Sequence, residues 1–305
     1  MPRLMLLDTP SLYFRAFYGV PESMTAPDGM PVNAVRGLID MIATLVRTHS
    51  PDELVACMDA DWRPAFRVAA IPTYKAHRVA QGDEEEVPDT LAPQVPVIEA
   101  VLDAVGVARI GVEGFEADDV IGTCTARATG PVDIVTGDRD LFQLVDDARP
   151  VRVLYTVRGI RNLQILDEAA VAAKYGIPGR GYADFATLRG DPSDGLPGVP
   201  GVGDKTAAAL ITRFGSLEAL LAALDTGQTD GFPAGSRNRL TTARDYLRVA
   251  PAVVRVAHDA PLPDIPLALP TAPRDPDALV ALSDKYGLDS PLGRLLGALA
   301  KPADS

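Results

Sequence analysis

Three acidic residues crowd one short apolar stretch of the sequence. In GFEADDVIG, residues 114–122, Glu116, Asp118 and Asp119 stand within four positions. On a helix that starts near residue 116, Glu116 and Asp119 lie on one face, whereas Asp118 points about 100° away from Asp119. The helix dipole favours acids in a first turn by roughly 0.3 to 1 kcal/mol each, which accounts for one or two of them. Three acids beside further acids would raise one another's pKa values unless cations were present, so this stretch predicts a metal site.

Further acids recur at turn-like places along the chain. Apolar runs end at Asp8, Asp59 and Asp138, and acid pairs occur in TGDRDL and RGDPSDG. Any one of them could simply cap a helix. Together they form a candidate ligand set at five places: Asp8, Asp59, Glu116, Asp118, Asp119, Asp138, Asp140, Asp191 and Asp194. Hard oxygen ligands suit Mg²⁺ or Mn²⁺, and the sequence has no Cys/His set for zinc. Two such ions roughly 4 Å apart would serve phosphodiester hydrolysis.

The elements that must position these acids alternate between strands and helices. The runs that end at Asp8, Asp59 and Asp138 have strand character, and residues 34–49 and 94–106 have helical spacing. This pattern predicts an α/β fold with a central, mostly parallel sheet flanked by helices. Ligands of such sheets bind beyond the carboxyl ends of the strands, which is where these three acids would stand.

The pattern changes after the first half of the chain. Residues 151–167 read as a β-hairpin that turns near Arg158 and Gly159, and helical, Gly/Pro-rich sequence follows. We therefore expect an α/β domain over residues 1–167 and a helical region over 168–305. Within that region, prolines predict irregular structure from about 250 to 276, before a last helix in PDALVALSDKYG.

Composition limits the class of protein. The chain has 305 residues, 47% of them hydrophobic, and a formal net charge of −12. Cys57 and Cys124 both lie in apolar runs, which favours buried thiols and a reducing compartment. No run approaches the roughly 18 apolar residues of a membrane span, so we expect a cytoplasmic protein without a membrane partner. The negative charge argues against a polyanionic partner, unless bound cations offset it locally.

Basic and aromatic residues cluster in FRVAAIPTYKAHR. Phosphate recognition uses Arg and Lys, and an aromatic ring gives an unpaired base a face to stack on. Arg67, Tyr74, Lys75 and Arg78 are therefore candidates for nucleic-acid binding, whereas the acidic run after Gly82 reads as a solvated surface. Two further residues of SLYFRAF, Tyr13 and Arg15, are also candidates for substrate contact, while Phe14 and Phe17 read as core.

A glycine-rich turn, GVPGVGDKTA, opens a predicted helix. Its spacing does not match the nucleotide-binding P-loop. Backbone amides at a helix start can still bind a phosphate, and such contacts read duplex shape without sequence. The residues of interest are Gly201, Gly203, Lys205 and Thr206.

Six motifs together resemble those of the bacterial 5′-nuclease (flap endonuclease) family, which includes the N-terminal 5′ to 3′ exonuclease domain of DNA polymerase I. In order along residues 4–225 they are LLDTPSLYFRAF, CMDADWRPAFR, PTYKAHR, GFEADDVIG, TGDRDLFQLV and RGDPSDGLPGVPGVGDKTA. The resemblance implies a PIN-like 5′-nuclease fold with a helical arch at about 67–95 and a helix-hairpin-helix type element at about 185–225. One departure is Gly195, where the family usually has Asn. No polymerase segment follows, so a free-standing nuclease is expected.

The resemblance also implies roles for the candidate residues. The nine acids match the family's metal-binding carboxylates, some of them acting through water. Lys75 would contact the scissile phosphate, supported by Arg78 and Arg67, and Tyr74 would stack on a terminal base. The glycine-rich turn would hold the downstream duplex, with Lys205 as a phosphate contact and a K⁺ ion as a further candidate ligand.

The expected function is a divalent-metal-dependent 5′ to 3′ exonuclease and flap endonuclease of DNA replication and repair. It would act as a monomer on DNA with 5′ flaps or 5′ ends, and RNA-containing 5′ strands stay open as substrates. One alternative is a catalytically silent protein of the same fold that binds DNA structures. Another is a small-molecule phosphohydrolase, but that would need a second acid two residues after Asp8, where Pro10 stands.

Overall fold

A single twisted sheet organises the protein in its computed structural model, which describes residues 1–80 and 84–300. In this described part the sheet has six strands in the order β3-β2-β1-β4-β5-β6. The strands are β1 (Leu4–Asp8), β2 (Glu53–Cys57), β3 (Ala108–Ile110), β4 (Val132–Thr136), β5 (Val151–Tyr155) and β6 (Gln164–Leu166). All neighbours are parallel except β5 and β6, which form the predicted antiparallel hairpin. The mostly parallel sheet is therefore confirmed.

Helices cover both faces of this sheet. The first group is α1 (Thr9–Gly19), α2 (Asn33–His49), α3 (Ala65–Ala70), α4 (Val95–Val105) and α5 (Ala117–Arg127). The second group is α6 (Glu168–Tyr175), α7 (Tyr182–Arg189), α8 (Asp204–Phe214), α9 (Leu217–Asp225), α10 (Ser236–Thr242), α11 (Arg244–Val249), α12 (Pro251–Val254), α13 (Pro276–Tyr286) and α14 (Asp289–Leu299).

Side chains along the central strands point alternately to the two faces of the sheet, and each face has its own hydrophobic core. In β1, Leu4 and Leu6 join the core that contains α5, α7 and α8, whereas Met5 and Leu7 join the core that contains α2, α4 and α14. Successive side chains of a strand point to opposite faces, so a strand buried on both faces reads as a continuous apolar run. This is why the run before Asp8 has no polar positions.

The last two helices return to the α/β part of the molecule. Helix α13 packs against α4, and α14 packs against α2. Leu292 and Leu295 of α14 are buried in the same core as Leu38 of α2. The end of the chain thus covers one face of the sheet, a role that the sequence did not reveal. The division at residue 167 stays a prediction.

The candidate acids stand where the strand order reverses. From β1 the chain builds the sheet outward through β2 and β3, and it then returns to the other side of β1 with β4 and β5. Ligands of doubly wound sheets bind at this switch point, beyond the carboxyl ends of the strands. Asp8 is the last residue of β1, and Asp59 and Asp138 each follow two residues after the end of a strand.

The predicted arch segment contains only short helical turns in its described residues. Helix α3 covers six residues, and three-residue 3₁₀ turns cover Ala76–Arg78 and Ala92–Gln94. Residues 81–83, part of the predicted arch and its acidic run, lie outside the described residues.

Across the described ranges, no single helix is long and apolar enough to cross a membrane. The pair α8 and α9 meets the length and composition criteria together, but it is bent by 80°.

Candidate metal centre and active site

Acids from separate elements line one cavity of about 210 Å³ at the carboxyl ends of the strands. Five of the predicted ligands face it: Asp8, Asp59, Glu116, Asp118 and Asp138. Lys75 and Arg78 also line the cavity. The structure therefore brings five of the nine candidate acids together with Lys75 and Arg78.

Asp8 is fixed by two hydrogen bonds at the junction of β1 and α1. Its Oδ1 accepts from Ser11 N at 3.3 Å, which caps the helix, and its Oδ2 accepts from Thr136 Oγ1 at 2.5 Å. Burial, with the charges of Asp138 and Asp59, raises the pKa of Asp8 to about 7 despite these bonds. A buried carboxylate beside other negative charges is costly to ionise in the absence of a cation.

Two further acids meet at the start of α5, namely Asp59, which follows β2, and Asp118 of the helix itself. Asp59 orients this end of the helix, because its Oδ1 accepts from Ala117 N at 2.7 Å. Asp118 lies in the first turn, and burial together with the charges of Asp8, Asp138 and Glu116 raises its pKa well above the usual range. Burial also raises the pKa of Asp59. The acids from β1, β2, β4 and α5 therefore act on one another electrostatically.

Asp138 and Asp140 form a tight turn after β4. Asp138 Oδ1 accepts from Asp140 N at 2.8 Å, and Asp138 N donates to Thr136 Oγ1 at 2.8 Å. Asp140 Oδ1 is buried and has no hydrogen-bond partner in the described structure. Burial and the charges of Asp138, Asp194 and Asp191 raise the pKa of Asp140 well above its usual range. Asp140 thus links the acids of the sheet to those of the following loop.

Asp191 and Asp194 come from the loop between α7 and α8. Asp191 Oδ1 accepts from Ser193 N at 2.9 Å, and its Oδ2 lies 3.4 Å from Arg189 Nη2 and 3.6 Å from Arg139 Nη2. Burial raises the pKa of Asp194 to about 6, with Lys75 opposing the shift and Asp138 adding to it. Both acids are therefore part of the same cluster.

The chemistry of this cluster fits hard divalent cations. Its donors are all carboxylate oxygens, one of them is buried without a partner, and their charges raise one another's pKa values. Mg²⁺ and Mn²⁺ prefer such ligands. Among the residues that the structure describes, no group of three or more Asp, Glu, His or Cys side chains is arranged closely enough to hold a metal ion. Like charges repel one another, so a bound cation is what would allow these carboxylates to approach a common point.

Asp119 and Arg67 do not line the acidic cavity and pair with each other instead. Asp119 is fully buried, and both of its oxygens accept hydrogen bonds from Arg67 at 2.7 Å. Asp119 Oδ1 also accepts from Ala257 N at 2.8 Å, and Arg67 Nε donates to Val253 O at 3.0 Å. Both carboxylate oxygens of Asp119 are thus engaged in hydrogen bonds, and Arg67 is only 2% exposed. Spacing gave no sign of this pairing, because a buried bidentate ion pair depends on tertiary structure.

Tyr74 is likewise buried rather than open to a base. Its side chain is 3% exposed, and its hydroxyl donates to Glu116 Oε2 at 2.8 Å. Glu116 also accepts from Arg67 Nη1 at 2.8 Å and from Lys75 Nζ at 2.5 Å. The structure therefore assigns Tyr74 to positioning Glu116, and a stacking role would require the ring to leave the core.

Lys75 and Arg78 lie at the wall of the acidic cavity, and their contact with a substrate phosphate stays a prediction. Burial opposes the charge on Lys75, but Glu116, Asp194 and Asp59 outweigh it and raise the pKa of its ammonium. Arg78 Nη2 donates to Asp194 Oδ1 at 2.9 Å and to Ser193 O at 2.7 Å. Both cations thus lie beside the acids while remaining at the cavity wall.

Gly195, the departure noted in the sequence, lies where two chain segments meet. Its φ is +73°, and a Cβ atom would stand 2.2 Å from Thr73 O. Thr73 Oγ1 donates to Gly195 O at 3.0 Å, and Lys75 N donates to Asp194 O at 3.0 Å. Glycine therefore allows the segment that carries Lys75 to pack against the loop that carries Asp194.

Tyr13 and Arg15 are placed apart from each other. Tyr13 is half-buried, with its ring centroid 5.3 Å from that of Phe14, and burial raises the pKa of its hydroxyl. Arg15 lines a different groove together with Arg158 and Arg161. Neither lines the acidic cavity, so contact with substrate stays a prediction for both.

The glycine-rich turn leads into α8 as predicted. Gly203 precedes the helix, and Lys205 and Thr206 lie in its first turn, with Lys205 exposed. Gly201 has a φ of +76°, and its carbonyl accepts from Arg239 Nη1 at 2.8 Å.

The fold and this acidic cavity define a nuclease of the resolvase-like class. The chain belongs to the 5'-3' exonuclease family. The family's N-terminal resolvase-like domain matches residues 3–176, and its C-terminal SAM fold matches residues 177–277.

Individual relatives agree with this assignment. A 5'-3' exonuclease of Streptomyces coelicolor is 66% identical over 97% of this chain and 99% of its own length. DNA polymerase I of Mycobacterium bovis is 40% identical over 98% of this chain, which spans 32% of the polymerase. The T5 D15 protein co-crystallised with metal ions has the same fold, with a TM-score of 0.65, 17% identity, and coverage of 97% of this chain and 99% of that one.

Proposed function

We propose that this protein hydrolyses DNA phosphodiesters at 5′ ends and at 5′ flaps, with two or more Mg²⁺ or Mn²⁺ ions held by its acid cluster. The observation that carries the proposal is the convergence of Asp8, Asp59, Glu116, Asp118 and Asp138 on one cavity that also contains Lys75. The names of two relatives, a 5'-3' exonuclease and a DNA polymerase I, support a setting in DNA replication and repair.

Eight acids would hold the ions in this proposal. Asp8, Asp59, Glu116 and Asp118 come from the β1, β2 and α5 side, and Asp138, Asp140, Asp191 and Asp194 come from the β4 side and the following loop. When bound, divalent ions lower the pKa of the attacking water and stabilise charge on the leaving oxygen. Asp119 and Arg67 position Glu116 and the start of α5.

The chain's own cations act on the substrate phosphate. Lys75 Nζ lies at the cavity wall, where it can stabilise charge that develops on the scissile phosphate, a role worth several kcal/mol in comparable sites. Arg78, anchored to Asp194 at 2.9 Å, holds the same segment beside the acids. No histidine base is required.

The finer features of the proposal concern substrate and setting. The start of α8, with Gly201, Gly203, Lys205 and Thr206, would contact duplex phosphates. We propose a monomer, and the two free, buried cysteines fit a reducing, cytoplasmic compartment. RNA-containing 5′ strands are further candidate substrates, and K⁺ is a further candidate ligand of the glycine-rich turn.

The proposal is tested by single-turnover cleavage of a 5′-flap DNA with Mg²⁺ or Mn²⁺, using the wild type and Asp138→Asn. Asp230→Asn, at an exposed site outside the cavity, serves as the charge-matched control. We expect Asp138→Asn to bind the flap but cut it roughly 10² to 10³ times more slowly, with the control unchanged. A wild type that binds flap DNA in every metal and never cuts would instead establish the catalytically silent alternative.

A further inference from the structure

A second cavity, of about 600 Å³, lies beside the acid cluster among the end of β5, α6, α7 and α8. Four of its lining residues are basic: Arg139, Lys174, Arg189 and Lys205. One acid, Asp204, also lines it, and three aromatic and two aliphatic side chains form the rest of the wall. This concentration of positive charge stands out in a chain whose net charge is −12.

Lys174 is held over aromatic rings rather than beside a carboxylate. Its Nζ lies 5.1 Å from the ring centroid of Tyr175, 5.6 Å from that of Tyr155 and 5.8 Å from that of Phe142. In the described structure neither Lys174 nor Lys205 forms an ion pair with an acid. Rings orient a cation without neutralising it, so Lys174 keeps its full charge for an incoming anion.

Two arginines of this cavity contact an acid of the candidate active site. Arg139 stands between Asp138 and Asp140 in the chain, and its Nη2 lies 3.6 Å from Asp191 Oδ2. Arg189 Nη2 lies 3.4 Å from the same oxygen. On the other side Lys205 belongs to the first turn of α8, after the glycine-rich turn. The basic residues therefore connect the acid cluster to the predicted duplex-binding element.

We propose that this basic cavity binds the phosphodiester backbone of the DNA strand that runs between the acid cluster and the glycine-rich turn, with Lys174 as a phosphate contact. The cavity would thereby set the register of the duplex without reading its sequence, since phosphate contacts carry no sequence information. The inference rests on the proposed function and adds Lys174 and Arg139 to the substrate-binding residues.

The test compares Lys174→Met, which keeps an unbranched apolar side chain and removes the charge, with Lys174→Arg, which keeps the charge. Lys285→Met is the matched control, because Lys285 also lies over a tyrosine ring, at 4.9 Å from Tyr286, but on α13 in the other core. Binding of a labelled 5′-flap DNA is followed by fluorescence anisotropy in EDTA over a series of KCl concentrations. Circular dichroism melting confirms that each variant is folded.

We expect Lys174→Met to weaken binding roughly three- to tenfold and to reduce the slope of log K against log salt by about 1, as the loss of one phosphate contact requires. Lys174→Arg should restore the slope, and Lys285→Met should match the wild type. Equal affinities and slopes for Lys174→Met and Lys285→Met would overturn the inference. The binding assay does not depend on cleavage. A wild type that binds flap DNA without cutting it would contradict the proposed function, while the comparison of the variants would still test the cavity.

Discussion

At the scale of residues, burial determines which charged groups can meet a substrate. Asp119 belongs to the most acidic motif and Arg67 to a basic one far away in the chain, yet they pair with each other out of contact with solvent. Desolvation makes such a pair weakly stabilising overall, but removal of one partner leaves an uncompensated buried charge. We therefore assign these two residues to the support of Glu116 rather than to metal or DNA binding.

This assignment predicts a loss of stability for Arg67→Met. The change leaves Asp119 without its cation and Glu116 with Lys75 alone, which should lower the free energy of unfolding by about 3 to 5 kcal/mol. Urea denaturation measures the effect, and Arg248→Met, which removes an exposed arginine, should stay within about 1 kcal/mol of the wild type. Unchanged stability together with weaker DNA binding would show that Arg67 contacts DNA after all.

At the scale of elements, the acids at the strand ends could be predicted from sequence. The packing of the segment that carries Arg67, Tyr74 and Lys75 could not. Asp8, Asp59 and Asp138 could be placed from sequence because buried parallel strands read as apolar runs that stop at a polar residue. Arg67, Tyr74 and Gly195 could not, because their surroundings come from residues far away in the chain, such as Val253, Glu116 and Thr73. Three-residue helical turns also have no periodicity that sequence patterns can detect.

The contact at Gly195 gives a prediction at this scale. Gly195→Ala places a Cβ against Thr73 O and should separate Lys75 from Asp194, so we expect a loss of about 1 to 3 kcal/mol in stability and a clear drop in the cleavage rate. Gly227→Ala is the matched control, since Gly227 has a similar φ of +76° but open space around it. Denaturation and single-turnover cleavage measure both variants. Equal effects of the two substitutions would mean that the close packing at Gly195 is unimportant.

At the scale of the whole molecule, the acid cluster trades stability for function. Its folded carboxyl groups have raised pKa values, about 7 for Asp8 and about 6 for Asp194, above the ordinary 3.8. The folded state therefore binds more protons than the unfolded state between these values. Stability must then fall as pH rises through that range, because the unfolded acids ionise more easily. A bound cation would remove the cost.

The expected result is that, in EDTA, the free energy of unfolding falls as pH rises from 4 to 7, and that Mg²⁺ restores more stability at pH 7 than at pH 5. Urea denaturation at both pH values, with and without Mg²⁺, provides the measurement. Asp118→Asn, which removes one charge from the cluster, should be more stable than the wild type in EDTA and should gain less from Mg²⁺. Equal Mg²⁺ effects at both pH values would contradict a carboxylate metal site.

The central claim, that the acid cluster holds the catalytic divalent ions, is tested most directly by counting bound Mn²⁺. Electron paramagnetic resonance of free Mn²⁺, titrated with wild type, Asp118→Asn and the control Asp230→Asn, gives the number of sites for each. We predict two or more sites per chain in the wild type and the control, and at least one site fewer or much weaker in Asp118→Asn. Identical Mn²⁺ binding by Asp118→Asn and the wild type would place the metal elsewhere and contradict the account.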